Sequence, residues 1–142
     1  MIRRRSLLTA LVAASGVSAL PFPLQAAASE RRIPWRNWSG NQRCEPEQRI
    51  APDSVEALQA LLKDTSGKVR PVGAGHSFSP LVPTDGTIVS LSRLEGVVSH
   101  DSSRQQATMW AGSRLGALGK PLEERGQALI NMPDIDEQAL AG

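Results

Sequence analysis

The stretch that decides the reading of this chain is VRPVGAGHSFSP, residues 69–80, where a β-like apolar run opens into a glycine loop carrying one histidine. Glycine has no Cβ, so Gly73 and Gly75 can turn backbone N–H groups onto a bound anion without steric penalty. Successive N–H groups of this kind form a concave anion site, often for a phosphate. His76 and Ser77 then place an imidazole and a hydroxyl on the rim of the same loop.

Upstream, residues 47–52 (EQRIAP) read as a short extended run. Asp53 follows as the expected helix cap, with Glu56 three residues on, as in a capping box. Val55, Leu58, Leu61 and Leu62 fall on one helical face, and Ser66-Gly67 ends the helix. Residues 68–72 are the next strand. Strand, helix, strand over this length predicts a βαβ unit with parallel strands and a right-handed crossover. The glycine loop thus starts at the carboxyl end of a strand, where open α/β sheets bind ligands.

Downstream, Pro80 and Pro83 prevent a helix from following the loop. Residues 87–91 read as a strand, and 96–100 with 105–111 as an antiparallel pair joined by the polar turn Asp101-Ser102-Ser103. Ser113 is the expected cap of a second helix, with Leu115, Leu118 and Leu122 inward, Pro121 as a kink and Gly126 as the stop. Residues 128–130 read as one more short strand. The fold class expected is α+β: a βαβ unit, then antiparallel strands and a second helix. Residues 35–40 (WRNWSG) start the folded part, and paired tryptophans there point to core or subdomain contacts.

Of the 142 residues, the first 28 read as an export signal of twin-arginine type. Arg3, Arg4 and Arg5 precede a soft apolar run, and Ala26-Ala27-Ala28 supplies the small-residue cleavage pattern. That run is too short and weak to span a bilayer, which takes ~20 apolar residues. The expected location is therefore periplasmic or extracellular. Residues 29–34 read as a linker, and no stable membrane span is expected in the mature chain. Without the three leader arginines, the sixteen Lys and Arg fall to thirteen against fourteen Asp and Glu, so the mature part is near −1. The basic balance belongs to the leader, and no basic stripe with interleaved aromatics remains to bind nucleic acid. Cys44 is the only cysteine, which excludes an internal disulfide and reads as a packing residue.

Several ligand chemistries fail at the loop. A dinucleotide fingerprint needs a third glycine where Phe78 stands, opening a helix. A phosphate loop of the ATPase kind needs a Gly-Lys-Ser/Thr ending that is missing. A metal site needs converging ligands, and the only other histidine, His100, lies on the expected hairpin without a carboxylate set around it. A flavin site built on a loop without a following helix is the fourth reading in competition. Two readings of His76 stay open from the residues alone: a nucleophile beside a bound cofactor, or a loop histidine bonding its own backbone.

The ordered set WRNWSGNQRCEPEQRIAPDSVEALQALL, KVRPVGAGHSFSPLVPTDGTIVSL and INMPDIDEQALAG resembles the start of the sugar-lactone and alditol oxidases. These are the gulonolactone, arabinonolactone and alditol oxidase branch of the vanillyl-alcohol-oxidase-type flavoproteins, which carry a PCMH-type FAD-binding domain. The resemblance covers nearly all of residues 35–142, taken as the amino-terminal part of that domain. It implies that Val72, Gly73, Ala74, Gly75, His76 and Ser77 wrap the FAD pyrophosphate. It also implies that His76 carries the flavin covalently, and that Pro133, Asp134 and Ile135 enter a second flavin-binding loop, although the residues alone read equally as a plain surface turn. The implied activity is oxidation of a CH–OH group of a small sugar lactone or polyol, with hydride passing to the flavin. In the family, the residues that polarise the substrate hydroxyl belong to a later domain, so no catalytic residue is assigned here. The alternative expectation is a truncated, catalytically inactive remnant or flavin-binding fragment.

Overall fold

The computed structural model describes residues 32–142; the expected signal and the start of the linker lie outside the described residues. The chain first makes a small hairpin, β1 (Trp35–Arg36) against β2 (Arg43–Cys44), antiparallel, with Trp35 opposite Cys44. Trp35 is buried, whereas Trp38 in the intervening turn is exposed, so only one of the paired tryptophans enters the core.

The expected βαβ unit is present as β3 (Gln48–Ile50), α1 (Val55–Asp64) and β4 (Val69–Val72). Its two strands do not touch: β5 (Thr87–Ser90) lies between them, parallel to both, giving the order β3-β5-β4. Thr87, Ile88 and Val89 are all buried, as expected for a central parallel strand covered on both faces. Residues 73–86 are therefore the crossover between neighbouring parallel strands, a connection that needs a dozen or more residues and is usually a helix. Here it is loop, as the two prolines predict.

Two details of α1 differ from expectation. The cap is Ser54, whose hydroxyl accepts from Ala57 N–H at 3.0 Å; Asp53 instead pairs with Arg93 at 3.1 Å. A hydroxyl next to the first helical residue reaches that donor, while a carboxylate one residue earlier is free to meet a cation. The helix also buries no side chain fully, and Leu62 is exposed. A ten-residue helix is about 15 Å long.

A second layer is the hairpin β6 (Val97–Asp101) and β7 (Gln106–Met109), antiparallel with a bulge between Val97 and Ser99, followed by α2 (Leu115–Glu123). Leu115, Leu118 and Leu122 are buried against Val97, Ala107, Met109, Leu129 and Leu140, the inward face that their spacing predicts. Pro121 lies inside the helix, and Gly126 just beyond it takes φ +65°. The buried Gln127 amide ties the turn after α2 to the hairpin: it donates to Gln106 O at 3.0 Å and accepts from His100 Nδ1 at 2.7 Å.

Ser113 is not the cap of α2. That position is Arg114, whose side chain makes no capping hydrogen bond. The Ser113 hydroxyl is buried, donating to Trp110 O at 2.7 Å and accepting from Gly96 N–H at 2.9 Å, so it joins the two ends of the hairpin. The helix's orphan donors find main-chain acceptors from a distant segment: Leu115 N–H donates to Gln138 O (3.0 Å) and Gly116 N–H to Asp136 O (2.9 Å). Residues 128–130 form no strand; the strand-like pairing falls later, at the single bridge Arg114–Ala139.

Candidate functional site

A cleft of about 700 Å³ opens at the carboxyl ends of β4 and β5, within the size range of small-molecule and cofactor sites. One wall is the loop after β4, with Val72, Gly73, Ala74, Gly75, His76 and Ser77 all lining it. The second is the end of β5, Ser90, Leu91 and Ser92. The third is built from Ala111, Gly112 and Arg114 with Gln138, Ala139, Ala141 and Gly142.

The loop is shaped by its glycines in two different ways. Gly75 has φ +76°, a conformation that a side chain strains. Gly73 is needed for close approach: a Cβ there would lie 1.6 Å from Gly142 O and 2.6 Å from its carbonyl carbon. The backbone N–H groups of Ala74, Gly75, His76 and Ser77 donate to no described residue, so four successive donors are not used up within the fold. No lining side chain is acidic, and Arg70 and Arg114 are among the lining residues. The carboxylates held below their usual range lie elsewhere. Asp85 is lowered by a backbone hydrogen bond and then by Lys68, and Asp101 is lowered to about 2 by the Ser103 hydroxyl and then Arg104. The cleft is suited to an anion.

The loop is held from behind by the turn at residues 37–42. Trp38 N–H donates to Gly75 O at 2.8 Å, and Asn37 Nδ2 donates to Ser77 O at 2.9 Å. Asn41 Nδ2 and Gln42 Nε2 donate to Phe78 O at 3.3 and 3.1 Å. The Trp38 indole stacks on the His76 imidazole with ring centroids 5.1 Å apart and planes 21° from parallel. Among the described residues, this stack is the side-chain contact that His76 makes.

A model of the FAD binding domain matches residues 46–142. The chain belongs to the FAD binding domain family. Among relatives, it is 34% identical over 111 residues to an L-gulono-1,4-lactone dehydrogenase of Mycobacterium tuberculosis, covering 76% of this chain and 26% of that protein. It is 31% identical over 130 residues to a D-arabinono-1,4-lactone oxidase of Kluyveromyces lactis, covering 87% and 25%. The chain thus spans about a quarter of the length of these curated relatives. The fold is similar to that of a solvent-stable cholesterol oxidase, with TM-score 0.62 and 25% identity over 77% of this chain and 22% of that one.

The FAD binding domain family accounts for the cleft's chemistry, and the residues fit the cofactor. The N–H groups of the glycine loop that no described residue uses, with Arg114, would hold the diphosphate. FAD supplies a two-electron acceptor when bound.

Six of the nine expected site residues, Val72 to Ser77, line the cleft. Pro133, Asp134 and Ile135 are exposed and do not line it. The segment that follows them does, because its carbonyls at 136 and 138 cap α2 and so lay residues 138–142 along the cleft wall. Ser90 and Ser92 were missed, although the carboxyl end of a neighbouring parallel strand is where ligands gather. Arg114 carries no sequence signal; its guanidinium is placed by Glu137, whose main-chain oxygen it meets.

Proposed function

We propose that this chain forms the FAD-binding part of an exported oxidoreductase that oxidises a CH–OH group of a sugar lactone or polyol, and that His76 carries the flavin covalently. The observation that carries the reading is that His76 and the glycine loop together line a cleft in which no lining side chain is acidic. The relatives' activities, on gulono- and arabinonolactones, supply the substrate class. A neutral imidazole is a competent nucleophile. In net terms, a C–N bond replaces the imidazole N–H and one C–H of the methyl group on the flavin's benzenoid edge. The two hydrogens released, as two protons and two electrons, reduce dioxygen to hydrogen peroxide. A covalent link would keep the cofactor on a protein that leaves the cell.

The test is peptide mass spectrometry on the purified whole protein. A His76 peptide heavier by FAD less two hydrogens is the expected result. Bare peptide with no nucleotide retained overturns the assignment. Export is tested separately: replacing Arg4 and Arg5 by lysine should trap the protein in the cytoplasm, and undiminished export refutes the twin-arginine reading.

A further inference from the structure

His76 lines the cleft with a polar ring, yet among the described residues no hydrogen bond to its nitrogens is found. The aromatic contact of the ring is the stack with Trp38. Trp38 is itself unusual. Tryptophan side chains are normally among the most buried on average, and this one is 68% exposed while its indole covers an imidazole face. The main chain around the pair is fixed independently, because the residues on either side of His76 both bond the turn. Gly75 O accepts from Trp38 N–H, and Ser77 O from the Asn37 amide. This turn also precedes residue 46, where the match to the FAD binding domain begins.

We propose that Trp38 is a positioning residue for His76, holding the imidazole plane so that a ring nitrogen is presented to the cleft for flavin attachment. The inference rests on the reading of His76 as the attachment site. Attack by a nucleophile is efficient only from a near-attack geometry, and small misplacements are expensive in rate. An unstacked imidazole on an exposed loop rotates about its side-chain torsions and spends most of its time in unproductive orientations. The indole removes that freedom without taking a nitrogen lone pair, as a hydrogen bond would.

Trp38→Ala deletes the stack but keeps the main-chain bond to Gly75, so loop folding and ring positioning are separable. The whole protein, freed of cofactor, is mixed with FAD, and two quantities are followed: non-covalent affinity and the rate at which flavin becomes acid-stable on the protein. W38A should attach flavin roughly tenfold more slowly, the scale of a lost aromatic pair, with affinity within about threefold of wild type. Trp38→Phe, which can still stack, should restore most of the rate. In the cofactor-free protein, the His76 ring protons should resonate upfield in the indole's ring current and lose that displacement in W38A. Attachment by W38A at the wild-type rate, or unshifted ring protons in the wild type, overturns the proposal. Wild-type protein that never modifies His76 refutes the attachment reading itself, and the role of Trp38 falls with it.

Discussion

Asn37→Ala is the sharpest probe of how the glycine loop is held. The Asn37 side chain is buried, 3% exposed, in the turn behind the loop. Its amide nitrogen lies 2.7 Å from Asn41 Oδ1, 2.9 Å from Ser77 O and 3.1 Å from Ser39 Oγ. An amide has two hydrogens for these three acceptors, and Ser39 Oγ already donates to Asn41 Oδ1 at 2.8 Å. The bonds to Asn41 and Ser77 are therefore the two that count. Asn37 Oδ1 adds a third by accepting from Gln42 N–H at 3.0 Å. Three bonds at roughly 1 kcal/mol each give a loss of about 3 kcal/mol in the order of the turn and loop. If all of it is taken from the preorganisation of the site, FAD affinity falls by up to roughly 150-fold. Asn37→Asp should do no better, since it keeps the acceptor for Gln42 but sets a carboxylate oxygen against Ser77 O. The assay is FAD titration of the cofactor-free protein, with amide hydrogen exchange across residues 73–78. An alanine variant that binds FAD within about threefold of wild type, with unchanged exchange in the loop, would refute the clamp.

Other perturbations separate the parts of the fold. Gly75→Ala meets only ordinary contacts, Asn37 Cα and Trp38 N at 3.6 Å, so its cost is backbone strain of about 1–2 kcal/mol. Gly73→Ala drives a Cβ into the Gly142 carbonyl and must displace the far wall, so it should impair FAD retention more than Gly75→Ala; equal retention by both variants contradicts the cradle. Leu118→Ala, at a site 1% exposed, should lower stability by about 2–5 kcal/mol in urea unfolding, and a loss well below 1 kcal/mol would place the core elsewhere. Asp101 is held at about 2 by Ser103 and Arg104, below the ordinary ~3.9 of the unfolded chain. The stability it contributes is fully present above the ordinary value and is lost as pH falls through about 2. The Arg104 amide, which donates to Asp101 at 3.0 Å, should follow that titration by NMR, and a midpoint at the ordinary carboxylate value removes the basis for it.

Local chemistry was legible where a residue's partner is near in sequence. Leu115, Leu118 and Leu122 show helical spacing and form the buried cluster. Pro80 and Pro83 exclude a helix, and residues 73–86 are loop. Caps were misplaced because two residues compete for each helix end and tertiary partners decide. Arg93 draws Asp53 away, and the bulged hairpin takes the Ser113 hydroxyl. The position of β5 between β3 and β4 was not legible either, since no residue in a short apolar strand records which neighbour it pairs with.

The far wall of the cleft shows why the expected second flavin contact fell a few residues early. Pro133, Asp134 and Ile135 have turn chemistry, and turn chemistry reads as a loop that touches something. What brings a segment to a site, though, is the satisfaction of its backbone. The first turn of α2 has donors with no side-chain cap, and the carbonyls of Asp136 and Gln138 accept from two of them. Leu140 N–H and Ala141 N–H then donate to Ser113 O at 2.9 Å and Ala111 O at 3.2 Å, so the chain is laced along residues 111–116. That lacing brings Arg114 and the small residues 139, 141 and 142 to the glycine loop. The helix end that lacks a serine or aspartate cap is thus the reason the cleft has a third side. Its position follows from main-chain hydrogen bonding rather than from any motif in residues 131–142.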